Sequence, residues 1–129
     1  MKKRKLTGIS IDVHLGTPGQ PVPASAMYIN KETEVPKLTL PTQALVRIKA
    51  FGLNRMDLMQ RNGVYPLPPQ APKTMGVEFS GVIVQLGPGA EDAEKTEGES
   101  YKVGDEVFGL AYGGMVILLK TIILMGTNR

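Results

Sequence analysis

The chain runs to 129 residues, 42% apolar and 21% charged, with a formal net charge of +3, which suits one domain with a real core. It has no cysteine and a single histidine, His14; disulfides, thiolate metal sites, a cysteine nucleophile and a clustered histidine site are excluded. The charge is too small to argue for a nucleic-acid partner, and no aromatic-rich basic stripe accompanies it.

Lys2, Lys3, Arg4 and Lys5 open the chain and read as a solvated tail over residues 1–5. Leu6–Val13 alternates with polar and small residues, so no secretory signal is visible and a cytoplasmic location is the default. Ile9, Ile11 and Val13 fall on one side of that segment, Ser10 and Asp12 on the other, the pattern of a half-buried strand. His14 sits at its end and carries no assigned role. Gly16, Pro18, Gly19, Pro21 and Pro23 make a loop, and a short strand is predicted around Ala26–Ile29.

Ala44–Phe51 alternates again: Val46, Ile48 and Ala50 point one way, Leu45, Arg47, Lys49 and Phe51 the other. The strand runs straight into a short helix over 54–63. Asn54 is a good N-cap, Asp57 completes a reciprocal capping pattern, Gly63 supplies the left-handed end, and Pro66, Pro68 and Pro69 forbid continuation. Leu53, Met56 and either Gln60 or Leu58 give this helix only a loose apolar face, so it depends on tertiary packing.

Val77–Leu86 reads as a central strand covered on both faces, ended by Gly87-Pro88-Gly89. That turn is no phosphate loop, because no helix pattern follows it and the acidic stretch beyond would repel phosphate. Residues 90–100 carry Glu91, Asp92, Glu94, Glu97 and Glu99 against Lys95 and read as a solvated loop. Glu106–Ala111 is the next strand. The apolar block Met115–Met125 is too short to span a membrane, which takes about 20 apolar residues; it reads as a strand pair, a core helix or an anomaly. Several short strands with Gly/Pro turns and one short helix indicate a mostly β, barrel-like domain.

Three blocks in order carry a family resemblance: Val46–Arg61 (Val-Arg-Ile-Lys-Ala-Phe-Gly-Leu-Asn-Arg-Met-Asp-Leu-Met-Gln-Arg), Met75–Ile83 (Met-Gly-Val-Glu-Phe-Ser-Gly-Val-Ile), and Lys102–Gly109 (Lys-Val-Gly-Asp-Glu-Val-Phe-Gly). Together they resemble the quinone oxidoreductases, zeta-crystallin-like and zinc-free, of the medium-chain dehydrogenase/reductase superfamily. The resemblance covers about residue 6 to Gly114 and implies a GroES-like β-barrel with one or two short helices. In that family a Rossmann domain binding NADPH follows; no strand, Gly-rich turn and helix of that kind is present in this sequence.

Zinc alcohol dehydrogenases place a cysteine where this chain has Asn54 and a histidine where it has Val77. An amide and an isopropyl group cannot replace those ligands, so the resemblance selects the zinc-free branch and no metal site is assigned. It implies NADP(H) as cofactor, a quinone or enone as substrate, Asn54 and Tyr65 as catalytic residues, and Asn54, Arg55 and Asp57 beside the cofactor. Plainer readings stand next to these. Asn54 is explained as an N-cap worth roughly 1 kcal/mol, Tyr65 as packing on prolines, Asp57 as a helix N-terminal acid, and Glu78 as an ion-pair partner of Arg55 or Lys49.

The domains are therefore a basic tail (1–5), a GroES-like domain (6–114) and a divergent hydrophobic tail (115–129). The resemblance stops abruptly after Gly114, which points to a replaced ending. The expected function is the N-terminal part of an NADPH-dependent quinone or enone reductase, catalytically incomplete alone, with a non-catalytic interaction module as the alternative. Self-association is expected through the uncovered interdomain face and residues 115–125.

Overall fold

Alternating side chains become strands wherever the sequence shows them. The computed structural model describes residues 7–13, 22–69, 71–90, 101–116 and 118–122. His14, the basic tail and the acidic stretch 91–100 lie outside the described residues. Strand β1 (Thr7–Val13) pairs antiparallel with β2 (Met27–Glu34). Strands β3 (Gln43–Ala50), β4 (Glu78–Leu86), β5 (Glu106–Leu110) and β6 (Leu118–Ile122) form a second antiparallel sheet in the order β5-β4-β3-β6. Helix α1 (Arg55–Arg61) follows β3, and one 3-10 turn (Ala24–Ala26) precedes β2. The domain is mostly β with little helix, as the sequence predicts.

Short backbone links join the two sheets. Ser10 bridges to Val116 and Asp12 to Thr74. The Ile11 N–H donates to Met115 O at 3.0 Å, the Met75 N–H to Ile11 O at 2.9 Å, and the Met115 N–H to Met75 O at 2.9 Å. Met115, the first residue of the apolar block, is thus a core residue: it packs with Met75 against Ile11 and Ala26. The block continues as β6, which pairs with the first half of β3 from Gln43↔Ile122 to Arg47↔Leu118.

The main core is Ala44, Val46, Phe79 and Ile83, with Ile48, Leu86, Val107 and Val116 packed around it. Ala44, Val46 and Ile48 supply it from one face of β3, while Arg47 and Lys49 are exposed on the other. Leu45 departs from the simple alternation and is buried, in the half of the strand flanked by both β4 and β6. Strand β4 is central, but it is covered on one face only: Phe79, Gly81 and Ile83 are buried while Glu78, Ser80, Val82 and Val84 are half-buried.

Helix α1 has Asn54 as its N-cap, in extended backbone, and ends at Asn62 before Gly63 at φ 68°. Only glycine takes that left-handed conformation without cost. The face it turns inward is polar: Asp57 and Gln60 are buried, Met56 is half-buried, and Leu53 and Leu58 point to solvent. Tertiary hydrogen bonding replaces the missing apolar stripe, with Gln60 Nε2 donating to the Thr74 carbonyl at 3.4 Å.

Asp12 anchors a buried polar seam between the β1–β2 sheet and the segment that leads into β4. Its Oδ1 accepts from Ser10 Oγ and Thr74 Oγ1, both at 2.8 Å, and its Oδ2 accepts from Asn30 Nδ2 at 2.9 Å. Ser10 and Thr33 hydroxyls meet at 2.5 Å. Burial alone would push the Asp12 carboxyl up; the bonds from Asn30, Thr74 and Ser10 and the charge of Lys73 outweigh it and hold the pKa below its ordinary value.

Candidate functional site

The end of β3 and the start of β4 lie side by side, and the residues just beyond them form a cleft. Gly52 follows β3, and a Cβ there would collide with Glu78 Oε2. Glycine therefore lets the Glu78 carboxylate lie across the exit of the strand, with Asn54 Nδ2 nearby. Beyond that point the chain turns into α1, so Asn54 stands at the rim while the helix carries the next residues away.

The cleft holds about 480 Å³ and is lined by Asn54, Met56, Tyr65, Val77, Glu78, Leu110, Ala111 and Tyr112. Its walls are largely apolar, with a few polar groups, the usual make-up of a small-molecule site. Asn54 is the point of interest. Its backbone N–H donates to Asp57 Oδ2 at 2.7 Å, the return half of a capping box. Its side-chain Nδ2 is buried and has no hydrogen-bond partner among the described residues; Asp57 Oδ1 is in the same condition. A buried donor left unpaired costs roughly 1–3 kcal/mol, an expense that an acceptor entering the cleft would relieve.

Tyr65 and Tyr112 face each other across the opening, ring centroids 6.5 Å apart at 61°, in an edge-to-face arrangement. Desolvation and the neighbouring Tyr112 hydroxyl raise the Tyr65 pKa above its ordinary value, so its phenol stays protonated over a wider pH range.

The four residues singled out from sequence separate here. Asn54 and Tyr65 line the cleft, and Val77 joins them. Arg55 is exposed and is not among the lining residues; Asp57 is buried beneath them and reaches the site through the Asn54 backbone. The ion pair expected between Glu78 and Arg55 or Lys49 does not form among the described residues; the carboxylate lies over Gly52 instead. Tyr112 is the residue that sequence reasoning misses. Its signal is an aromatic set just before a glycine pair, and it gains meaning only when β5 delivers it opposite Tyr65.

No group of three or more His, Cys, Asp or Glu side chains able to hold a metal ion occurs among the described residues. No helix of the described residues is long and apolar enough to cross a membrane.

Comparison with known proteins places these features in context. Residues 40–117, more than half of the chain, match the family model "Alcohol dehydrogenase GroES-like domain". The synaptic vesicle membrane protein VAT-1 homolog of Rattus norvegicus is 41% identical over 81 residues, 63% of this chain and 18% of that protein. A zinc-type alcohol dehydrogenase-like protein of Schizosaccharomyces pombe is 42% identical over 65 residues, 50% of this chain and 19% of its own length. Among solved structures, the Escherichia coli quinone oxidoreductase complexed with NADPH superposes with a TM-score of 0.66 at 25% identity, covering 88% of this chain and 31% of that one. The chain thus spans about a fifth of the length of these curated relatives.

Proposed function

This chain belongs to the alcohol dehydrogenase GroES-like domain family, and we propose that it is the substrate-side half of a zinc-free, NADPH-dependent quinone or enone reductase of cytoplasmic location. One observation carries the reading. The residues at the two positions that hold zinc ligands in alcohol dehydrogenases, Asn54 and Val77, converge on one apolar cleft with a pair of tyrosines.

The donor set of that cleft is an amide, two phenols and one carboxylate. It lacks the three nitrogen, sulfur or carboxylate ligands that a catalytic zinc requires. It suits an uncharged carbonyl compound better. The free Asn54 N–H offers a hydrogen bond to an oxygen acceptor, whether on the nicotinamide or on the substrate. The Tyr65 phenol, protonated at neutral pH, offers a second. Met56, Val77, Leu110 and Ala111 form walls for a flat ring and exclude water from it. Asp57 is a positioning residue: its bond to the Asn54 N–H fixes where that side chain starts. A reduced nicotinamide, when bound, would supply the hydride.

A titration of the full chain with duroquinone tests the reading. Saturable amide shifts should centre on the Asn54 side chain, Tyr65 and Tyr112 and weaken in Asn54→Ala. Shifts that fail to saturate, or that map elsewhere, would refute it. The exposed apolar side chains of Phe108 and Leu110 beside the cleft favour a second reading, an interaction module.

A further inference from the structure

Residues 74–77 form the short segment that leads into β4, and both walls of the Asn54 cleft are tied to it. The Thr74 carbonyl receives Gln60 Nε2 of α1 at 3.4 Å, on the wall that carries Asn54 and Met56. The Gly76 carbonyl receives the Gly113 N–H and the Val77 carbonyl receives the Ala111 N–H, each at 2.9 Å. Those two bonds bracket Tyr112 on the other wall, and Val77 itself lines the cleft.

What fixes the segment lies outside the cleft lining. Thr74 Oγ1 donates to Asp12 Oδ1 at 2.8 Å, and the two residues also form an antiparallel bridge. The next N–H along, that of Met75, donates to the Ile11 carbonyl at 2.9 Å. Thr74 and Gln60 are both buried. A buried donor pulled from its acceptor has no water to turn to, so such bonds hold their geometry. On its other side the segment has little room, since a Cβ on Gly76 would lie 2.8 Å from Met115 Cγ.

We propose that Thr74 is a positioning residue for the cleft: held by the Asp12 carboxylate through its hydroxyl, it sets where α1 presents the Asn54 amide relative to Tyr112. The inference rests on the reductase reading for what the cleft binds. Ser10 supplies the control. Its hydroxyl donates to the same Asp12 oxygen, also at 2.8 Å, and otherwise meets Thr33, so its bonds stay within β1 and β2.

The test compares Thr74→Val, Thr74→Ser and Ser10→Ala with the unaltered full chain under conditions where each is folded. Amide chemical shifts are read first without ligand and then with duroquinone. Valine keeps the branched shape and loses the hydroxyl, whereas serine keeps the hydroxyl. Thr74→Val should move the Asn54 side-chain amide and the Ala111 N–H signals and weaken duroquinone about three- to tenfold. Thr74→Ser should retain the unaltered signals and affinity, and so should Ser10→Ala, although it too removes a buried bond. Cleft signals and affinity unchanged in Thr74→Val overturn the proposal. So does a Ser10→Ala chain that changes them as much, because that is general loosening. Should Thr74→Val fail to fold, Gln60→Met carries the test: it deletes only the tie from α1, so Asn54 should move while Ala111 stays. Asn54 signals that stay in place there overturn the proposal as well. An unaltered chain that binds no duroquinone refutes the reductase reading alone, and the ligand-free shifts then decide this inference.

Discussion

The seam around Asp12 and the cleft around Asn54 are built from similar polar residues and end in opposite states. In the seam, both carboxylate oxygens of Asp12 are paired, and Ser10, Asn30, Thr33 and Thr74 close a network that ties the β1–β2 sheet to the segment leading into β4. At the cleft, Asn54 Nδ2 and Asp57 Oδ1 are buried without partners, and the Glu78 carboxylate has none among the described residues. A satisfied network stabilises and specifies a fold, whereas unpaired buried groups cost stability. The molecule concentrates its polar satisfaction in the seam and leaves it unfinished where a ligand would enter.

The contrast can be broken most severely at Asp12. Asp12→Ala strands the donors of Ser10, Asn30 and Thr74, and chemical denaturation should show a loss of about 3 kcal/mol; a loss under about 1 kcal/mol would erase the distinction between seam and cleft. Acid tests the same residue more gently. The folded pKa of Asp12 is lowered, so its contribution is fully present above the ordinary value of 3.8 and is lost as pH falls through the lowered folded value. Stability measured against pH should therefore decline below that point, and Asp12→Asn should flatten that limb.

Asp57→Ala comes next. It removes the bond to the Asn54 N–H, at a cost of about 1 kcal/mol, and it should weaken duroquinone binding although Asp57 lines no part of the cleft. Binding left unchanged would remove its positioning role. Smallest is Tyr112→Phe, which should lower the Tyr65 pKa toward its ordinary value by deleting the hydroxyl and charge that raise it. Ultraviolet titration of the phenols reads this directly, in a chain with four tyrosines and no tryptophan.

Much of this was legible in the sequence, for reasons that are local. Alternation marked β3 and most of β1 as strands, and Asn54, Gly63 and the prolines beyond bounded α1, because strand formation and helix capping are signalled by neighbours along the chain. The seam was not legible. Ser10 and Asp12 fall on the polar side of β1 and read as solvent-facing, yet they are buried under residues as distant as Thr74. The inward face of α1 was legible only in part: Gln60 turns inward as its spacing suggests, received by distant backbone, but Asp57 joins it while Leu53 and Leu58 face out. At the site, Asn54, Tyr65 and Val77 were reachable through family resemblance. Tyr112 and the unpaired state of Glu78 were not, since both depend on β4 and β5 lying side by side.

The central claim is that this cleft is a substrate-side half-site that works without zinc. The most direct measurement replaces the matching domain of the Escherichia coli quinone oxidoreductase with residues 1–117 of this chain and follows NADPH-dependent quinone reduction. The account predicts turnover in a folded chimera, unchanged by a chelator and lowered by at least about tenfold in Asn54→Ala. A folded, NADPH-binding chimera that is inert, or that turns over only with zinc, would contradict it.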